Sequence, residues 1–180
     1  MKKLYMILPL ALILCLMVSC QDKEAMAELE AMKAQAEVEE QNVELVRKMF
    51  EAWGKGDMEA FGELLAPGYV YYYPSGTSNP ISLEELREMA KMFWGGFPDM
   101  SFSMEEMFAA GDRVIFRFIQ RGTHKGDFMG IPATGNKFEC SGYLVSRIEN
   151  GKIVEAREEF DMLGMMQQLG MELKPKEGEK

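Results

Sequence analysis

The 180-residue chain reads as one α+β domain behind an N-terminal export segment, with helices first and a run of antiparallel strands after them. Three observations carry this. Apolar residues recur at helical spacing as far as Gly95 and Gly96, and period-two alternation takes over after Pro98. Asn150–Gly151 then separates two further alternating runs, and both positions of such a turn favour positive φ, so it reads as a two-residue hairpin.

The elements follow in order. Val43, Val46, Phe50 and Trp53 define a first helix that Gly54 to Gly56 stops, and Asp57 caps a second containing Phe61, Leu64 and Leu65. Pro67 and Gly68 break it. A short strand, Tyr69 to Tyr73, sets Tyr69, Tyr71 and Tyr73 on one face and Val70 and Tyr72 on the other. Ser82 and Glu85 have the spacing of a capping box at the head of a third helix, with Leu83, Leu86, Ala90 and Phe93 on its apolar side. Met100, Phe102 and Met104 alternate with polar residues up to a turn at Gly111–Asp112, and Val114, Phe116 and Phe118 alternate beyond it. Strands over Lys137 to Glu149 and Lys152 to Phe160 flank the Asn-Gly turn, and a last helix starts at Met162 or Leu163. A curved sheet wrapped by the earlier helices would enclose a pocket.

At the N-terminus, Lys2 and Lys3 precede an apolar run from Leu4 to Val18, shorter than the ~20 residues a membrane-spanning helix needs. The run ends in LMVSC, which resembles a bacterial lipobox. The expected organisation is a signal peptide at 1–19, a lipidated Cys20 with a helical spacer at 20–41, the folded domain at 42–171, and a charged disordered tail at 172–180. Lipid on Cys20 would hold the protein at a membrane of the bacterial envelope, the outer one in a two-membrane cell because Gln21 follows the cysteine. Met26, Leu29 and Met32 form only a narrow apolar stripe on the spacer, and Cys140 is then the only thiol of the mature domain, so no intramolecular disulfide is expected.

Composition narrows the function. A net charge of −9 argues against nucleic acid as a partner. One histidine and one domain thiol cannot assemble a His/Cys metal site, and the glycines from Gly122 to Gly135 lack the strand–GxGxxG–helix context of a phosphate cradle. No cofactor is expected. The 17 methionines suit an adaptable lining for an irregular apolar ligand, although methionine also fills core gaps.

Two stretches, GTHKGDFMGIPATG from Gly122 to Gly135 and NGKIVEAREEFDMLGMMQQLG from Asn150 to Gly170, resemble the SnoaL-like polyketide cyclases of the ester cyclase type. These have the cone-shaped fold of nuclear transport factor two. The resemblance spans roughly Asn42 to Met171 and implies a curved antiparallel sheet around a pocket, acid–base work by Asp161, and pairing into homodimers through the open face of the sheet. The chain departs from the family pattern at Leu144, Ala156 and Arg157, where the family commonly has His, His and Trp.

Asp161, between Phe160 and Met162, is the leading catalytic candidate, since apolar burial raises a carboxyl pKa towards neutrality; the alternative is that it merely caps the last helix. His124 is the second, able to orient a carbonyl or share a proton with Asp161, against the alternative of a loop-bonded histidine at a strand end. Trp53, Tyr71, Tyr73, Phe128 and Tyr143 are the candidate pocket residues. Phe128, Met129, Ile131 and Pro132 should cover the pocket mouth or meet a second subunit, and Tyr143, Val145 and Phe160 are candidates for the dimer face. The expected activity is acid–base cyclisation or isomerisation of a small, largely apolar carbonyl compound. The alternative is a non-catalytic ligand-binding or envelope interaction module.

Overall fold

No glycine or proline interrupts residues 21–53, so nothing breaks a helix there, and α1 runs from Leu4 to Gly54 without a stop. A computed structural model describes the backbone of residues 4–172 and 174, and side chains from residue 23 onward. Signal cleavage, lipidation of Cys20 and nearly all of the charged tail therefore lie outside the described residues. Among those described, no helix is long and apolar enough to cross a membrane.

The chain divides into two units, Met1–Val38 and Glu39–Lys180. In the first, the described side chains are exposed along the helix, Met26, Leu29, Met32 and Val38 included. The second begins three residues before Asn42 and contains the sheet. Asn42 donates to the Gly111 carbonyl at 3.0 Å while Glu39 accepts from the Gly111 N–H at 2.8 Å, so the β2–β3 turn is tied to α1.

Short helix α2 (Met58–Glu63) is capped by Asp57, which accepts from Ala60 N–H, and it buries only Phe61. It stops before Leu65, which opens strand β1 (Leu65–Tyr72). Of the two residues expected in the helix, Leu64 is its C-cap, with a carbonyl that accepts the Ile153 N–H at 3.1 Å, and Leu65 already belongs to the sheet. Helix α3 (Leu83–Gly96) has the full Ser82–Glu85 capping box and buries Leu86, Ala90, Phe93 and Gly96. Strands β2 (Ser101–Ala110), β3 (Arg113–Thr123), β4 (Lys137–Glu149) and β5 (Lys152–Phe160) follow, with α4 (Met162–Gln168) last.

The sheet order is β1-β5-β4-β3-β2. Strands β2 to β5 are antiparallel neighbours, and β1 joins the β5 edge in parallel, with Tyr71 beside Ala156 and Tyr72 beside Arg157. Asn150 and Gly151 have φ of 50° and 71°, the positive values the Asn-Gly hairpin requires. The architecture is thus the mixed α+β arrangement read from the sequence, with a curved, unclosed, mainly antiparallel sheet.

Two apolar clusters hold the domain together. The larger joins Val46 and Met49 of α1, Phe61, Leu86 and the inward residues Val114, Phe116, Phe118, Leu144 and Ala156. The smaller joins Phe93, Phe97, Phe128, Phe138, Cys140, Met165 and Leu169. Gly142 lies opposite Phe118 on one side and Phe160 on the other, and these two rings run parallel, 6.2 Å apart with 4° between their planes. A Cβ at Gly142 would stand 2.4 Å from a Phe118 ring carbon and 2.8 Å from the Glu159 carbonyl oxygen. Gly142→Ala is therefore expected to destabilise the domain by ~2–3 kcal/mol, read as a lower denaturant midpoint; an unchanged midpoint would refute this packing.

Candidate active site

Alternation on β5 places Ala156, Glu158 and Phe160 on the concave face of the sheet. Across the sheet Glu158 is level with Leu144 of β4 and then Phe116 of β3. From the other side, parallel β1 brings Tyr69 and Tyr71 beside it, with Tyr73 just past the end of the strand. Helix α1 contributes Met49, Phe50 and Trp53, and α3 contributes Leu86, Met89 and Phe93, to close a cavity of ≈ 720 Å³, its solvent-open mouth included. Its wall is mostly aromatic. Phe50 packs edge-on against Phe116 at 5.0 Å, and Trp53 lies 5.5 Å from Phe61. The lining includes no basic side chain among the described residues; its polar side chains are Glu158, Gln120, the three tyrosines and Trp53.

Glu158 keeps part of its surface, yet its carboxyl is set among close-packed aromatic rings that displace water. Burial pushes its pKa up to about 7, a hydrogen bond from the Tyr71 hydroxyl pulls the other way, and the neighbouring Glu159 charge adds to the rise. Burial and the Glu158 charge raise Tyr69 and Tyr71 well above the usual phenol range and push Tyr73 up to about 12. These phenols therefore stay protonated and can donate hydrogen bonds while Glu158 gains and loses a proton near neutrality, the condition for a general acid–base.

Of the residues expected at the pocket, Trp53, Tyr71 and Tyr73 line this cavity. Phe160 lines it too, and so does not belong to the outer face where a dimer contact was expected. Phe128 is wholly buried in the smaller cluster, 4.9 Å from both Phe93 and Phe97, and does not line the cavity. Tyr143, 49 % exposed, points away from the cavity because β4 alternation sets Leu144 inward.

Asp161 is exposed and is not among the cavity residues. Strand β5 ends at Phe160, so residue 161 leaves the alternation and its carboxylate turns to the open N–H groups of α4, accepting from Gly164 at 2.8 Å. The expected apolar burial of this carboxyl is not what the fold provides.

His124 is fully buried, but against Phe97 at 5.3 Å and Phe128, outside the cavity and without a bond to Asp161. Its Nδ1 accepts the Thr134 N–H at 3.3 Å and lies 3.1 Å from the Thr134 hydroxyl; this pattern assigns the ring proton to Nε2, which has no partner among the described residues. The surrounding GTHKG segment works as a clasp. Lys125 and Gly126 N–H groups close the end of α3 on the Gly96 carbonyl, and Gly126 has no room for a Cβ, which would stand 2.2 Å from the Gly95 carbonyl oxygen.

Glu158 and Gln120 are the site residues that sequence reasoning missed. The signal was present for both: Glu158 falls two residues after Ala156 on β5, and Gln120 two after Phe118 on β3, in phase with buried neighbours.

An aromatic cone with one near-neutral carboxyl defines a pocket suited to proton transfer on an apolar molecule, and comparison with known proteins agrees with that class. The family model of the SnoaL-like polyketide cyclases matches residues 43–169. This chain belongs to that family, which supports a domain of the cyclase or isomerase type. It is 30% identical over 141 residues to the aklanonic acid methyl ester cyclase DnrD of Streptomyces peucetius, covering 71% of this chain and 90% of that protein. Among solved structures it resembles IdmH of Streptomyces antibioticus, a candidate polyketide cyclase, with a TM-score of 0.64, 32% identity, and 72% and 99% of the two chains covered. AclR of Streptomyces galilaeus, a candidate hydroxylase, gives a TM-score of 0.68 at 27% identity, with 77% and 87% covered.

The site makes stability depend on pH. Glu158 moves from an ordinary 4.5 to about 7 on folding, so across that interval the folded chain keeps a proton that the unfolded chain has released. Stability should fall as pH rises from about 4.5 to about 7 and stay reduced above it. Glu158→Gln should abolish this decline and exceed the wild type at pH 8 by on the order of 2 kcal/mol. Asp161→Asn should leave the curve unchanged, because Asn caps as well as Asp. Thermal melts of the three proteins between pH 4 and 8 check both statements, and parallel wild-type and Glu158→Gln curves would refute the buried acid.

Proposed function

We propose that the cavity binds a small, largely apolar carbonyl compound and that Glu158 transfers a proton on it in a cyclisation or isomerisation. The feature that supports this is the carboxyl itself: set beside Tyr71, walled by aromatic rings, and pushed by burial to a pKa of about 7. As a base, Glu158 takes a proton from the carbon next to the carbonyl; as an acid, it returns one to the product. The enolate oxygen that forms between these steps needs donors, and protonated tyrosine hydroxyls on β1 stand beside the carboxyl. With no basic side chain in the described lining, the favoured ligand is neutral.

This reading moves the acid–base role from Asp161 to Glu158. Exchange of deuterium at the enolisable carbon of a neutral aryl β-keto ester, followed by NMR, tests it. Glu158→Gln should slow exchange by about 10²-fold or more with ligand affinity kept within about tenfold, and Asp161→Asn should retain it. Loss of exchange in Asp161→Asn alone would return the role to Asp161. Binding without exchange in the wild type would favour the non-catalytic binding module.

We also propose that two copies pair through the convex face of the sheet. Phe108, Ile115 and Val145 are successive cross-strand neighbours there, and Phe108 and Tyr143 are 65% and 49% exposed. Sedimentation of the chain without its first 20 residues should give a dimer at micromolar concentration, and Phe108→Glu should give a monomer; a wild-type monomer would overturn the pairing. The LMVSC segment supports anchoring by lipid on Cys20 at the bacterial envelope. Cys20→Ser should then abolish palmitate labelling, and a wild type that takes up no label would remove the anchor.

A further inference from the structure

Gln120 is 94% enclosed, at 6% exposure, and still faces the cavity. Its amide nitrogen donates only to the Met100 sulfur, at 2.7 Å, and its carbonyl oxygen receives no hydrogen bond from a described residue. A thioether is a weak acceptor, so a carboxamide this deeply enclosed keeps most of its hydrogen-bonding capacity unused. Whichever way the amide is turned, one polar end is left to the cavity.

Its position relative to Glu158 follows from the register. Glu158 is level with Leu144 and Phe116, whereas Gln120 lies four residues farther along β3, opposite Cys140. Two strand spacings across and four residues along put the two Cα atoms on the order of 15 Å apart. Gly142, flanked by the parallel rings of Phe118 and Phe160, occupies the rung between them. That Cα separation favours an elongated molecule, and the aromatic walls favour a flat one.

Resting on the cavity being the binding site, we propose that Gln120 anchors a second oxygen function of the ligand at the end remote from Glu158. The cavity then selects flat, neutral, elongated molecules with an enolisable carbonyl at one end and a hydroxyl or carbonyl at the other. Gln120 is a positioning residue: it touches no reacting atom but sets which carbon of the ligand lies beside Glu158.

A matched pair of ligands tests this. 2-Acetylnaphthalene and 6-acetyl-2-naphthol share an enolisable ketone, and only the second carries a hydroxyl at the far end. Binding to the full chain is read by quenching of Trp53, which lines the cavity. In the wild type the hydroxyl should tighten Kd about tenfold; in Gln120→Met, close in volume, the ratio of the two Kd values should fall below twofold. Glu158→Gln should keep the tenfold gain and lose proton exchange, so failure of the acid–base reading and failure of this one give different patterns. An equal hydroxyl gain in wild type and Gln120→Met, or no wild-type binding of either ligand, overturns the proposal. Should Gln120→Met not fold, the Gln120 side-chain amide resonance of the wild type decides: it must shift with the hydroxylated ligand and not with its partner.

Discussion

A carboxyl enclosed by aromatic rings is pushed towards its protonated form, and donation from the Tyr71 hydroxyl to Glu158 offsets part of that push. It depends on β1 lying parallel to β5 at the sheet edge, because only that pairing sets the tyrosine face of β1 beside the inward face of β5. The cavity is open where it is because α1 and α3 close the concave face with large rings instead of filling it. The same aromatic packing that excludes water from the carboxyl shapes the cavity beside it.

The second cluster bears on the site indirectly. Phe97, Phe128, Phe138 and His124 pack together behind the cavity and tie the end of α3 to the loop after β3. Phe93 belongs to that cluster and also lines the cavity, so the clasp fixes one wall of the site. A histidine used in this way contributes ring packing and polar contacts with the Thr134 N–H and hydroxyl, and the glycines around it permit close backbone approach. The motif that stands out most in the sequence is thus structural support.

The departures from the family pattern fit the same picture. Leu144 lines the cavity level with Glu158, and Ala156 is wholly buried one inward step before it. Two positions where the resemblance led us to expect histidine are apolar, which deepens the desolvation of the one carboxyl left. Arg157, where the family has tryptophan, lies on the other side of the strand: it sits 4.0 Å over the Tyr72 ring and pairs with Glu155 at 2.8 Å. The chain keeps the family's cone and concentrates its ionisable chemistry in Glu158.

The limits of α3, the capping box, the Asn-Gly hairpin and the strand periods were legible in the sequence, because each is set by residues within a few positions of one another; the end of α2 and the start of β1 were not, since Leu65 pairs with distant β5. The glycine stop after Trp53 and the alternation on β3, β4 and β5 needed no tertiary information. The roles of Asp161, His124, Phe128 and Tyr143 were not legible. Asp161 lies one residue beyond the strand, where a carboxylate serves helix α4, and His124 and Phe128 are drawn to a cluster assembled from α3, β4 and α4. Glu158 was not legible because Glu155, Arg157, Glu158 and Glu159, four charged residues within five, read as a solvated edge until β1 covers it. Local backbone chemistry determined the elements; the enclosure of one carboxyl and one carboxamide depended on which faces met, a long-range outcome that only the tertiary structure decided.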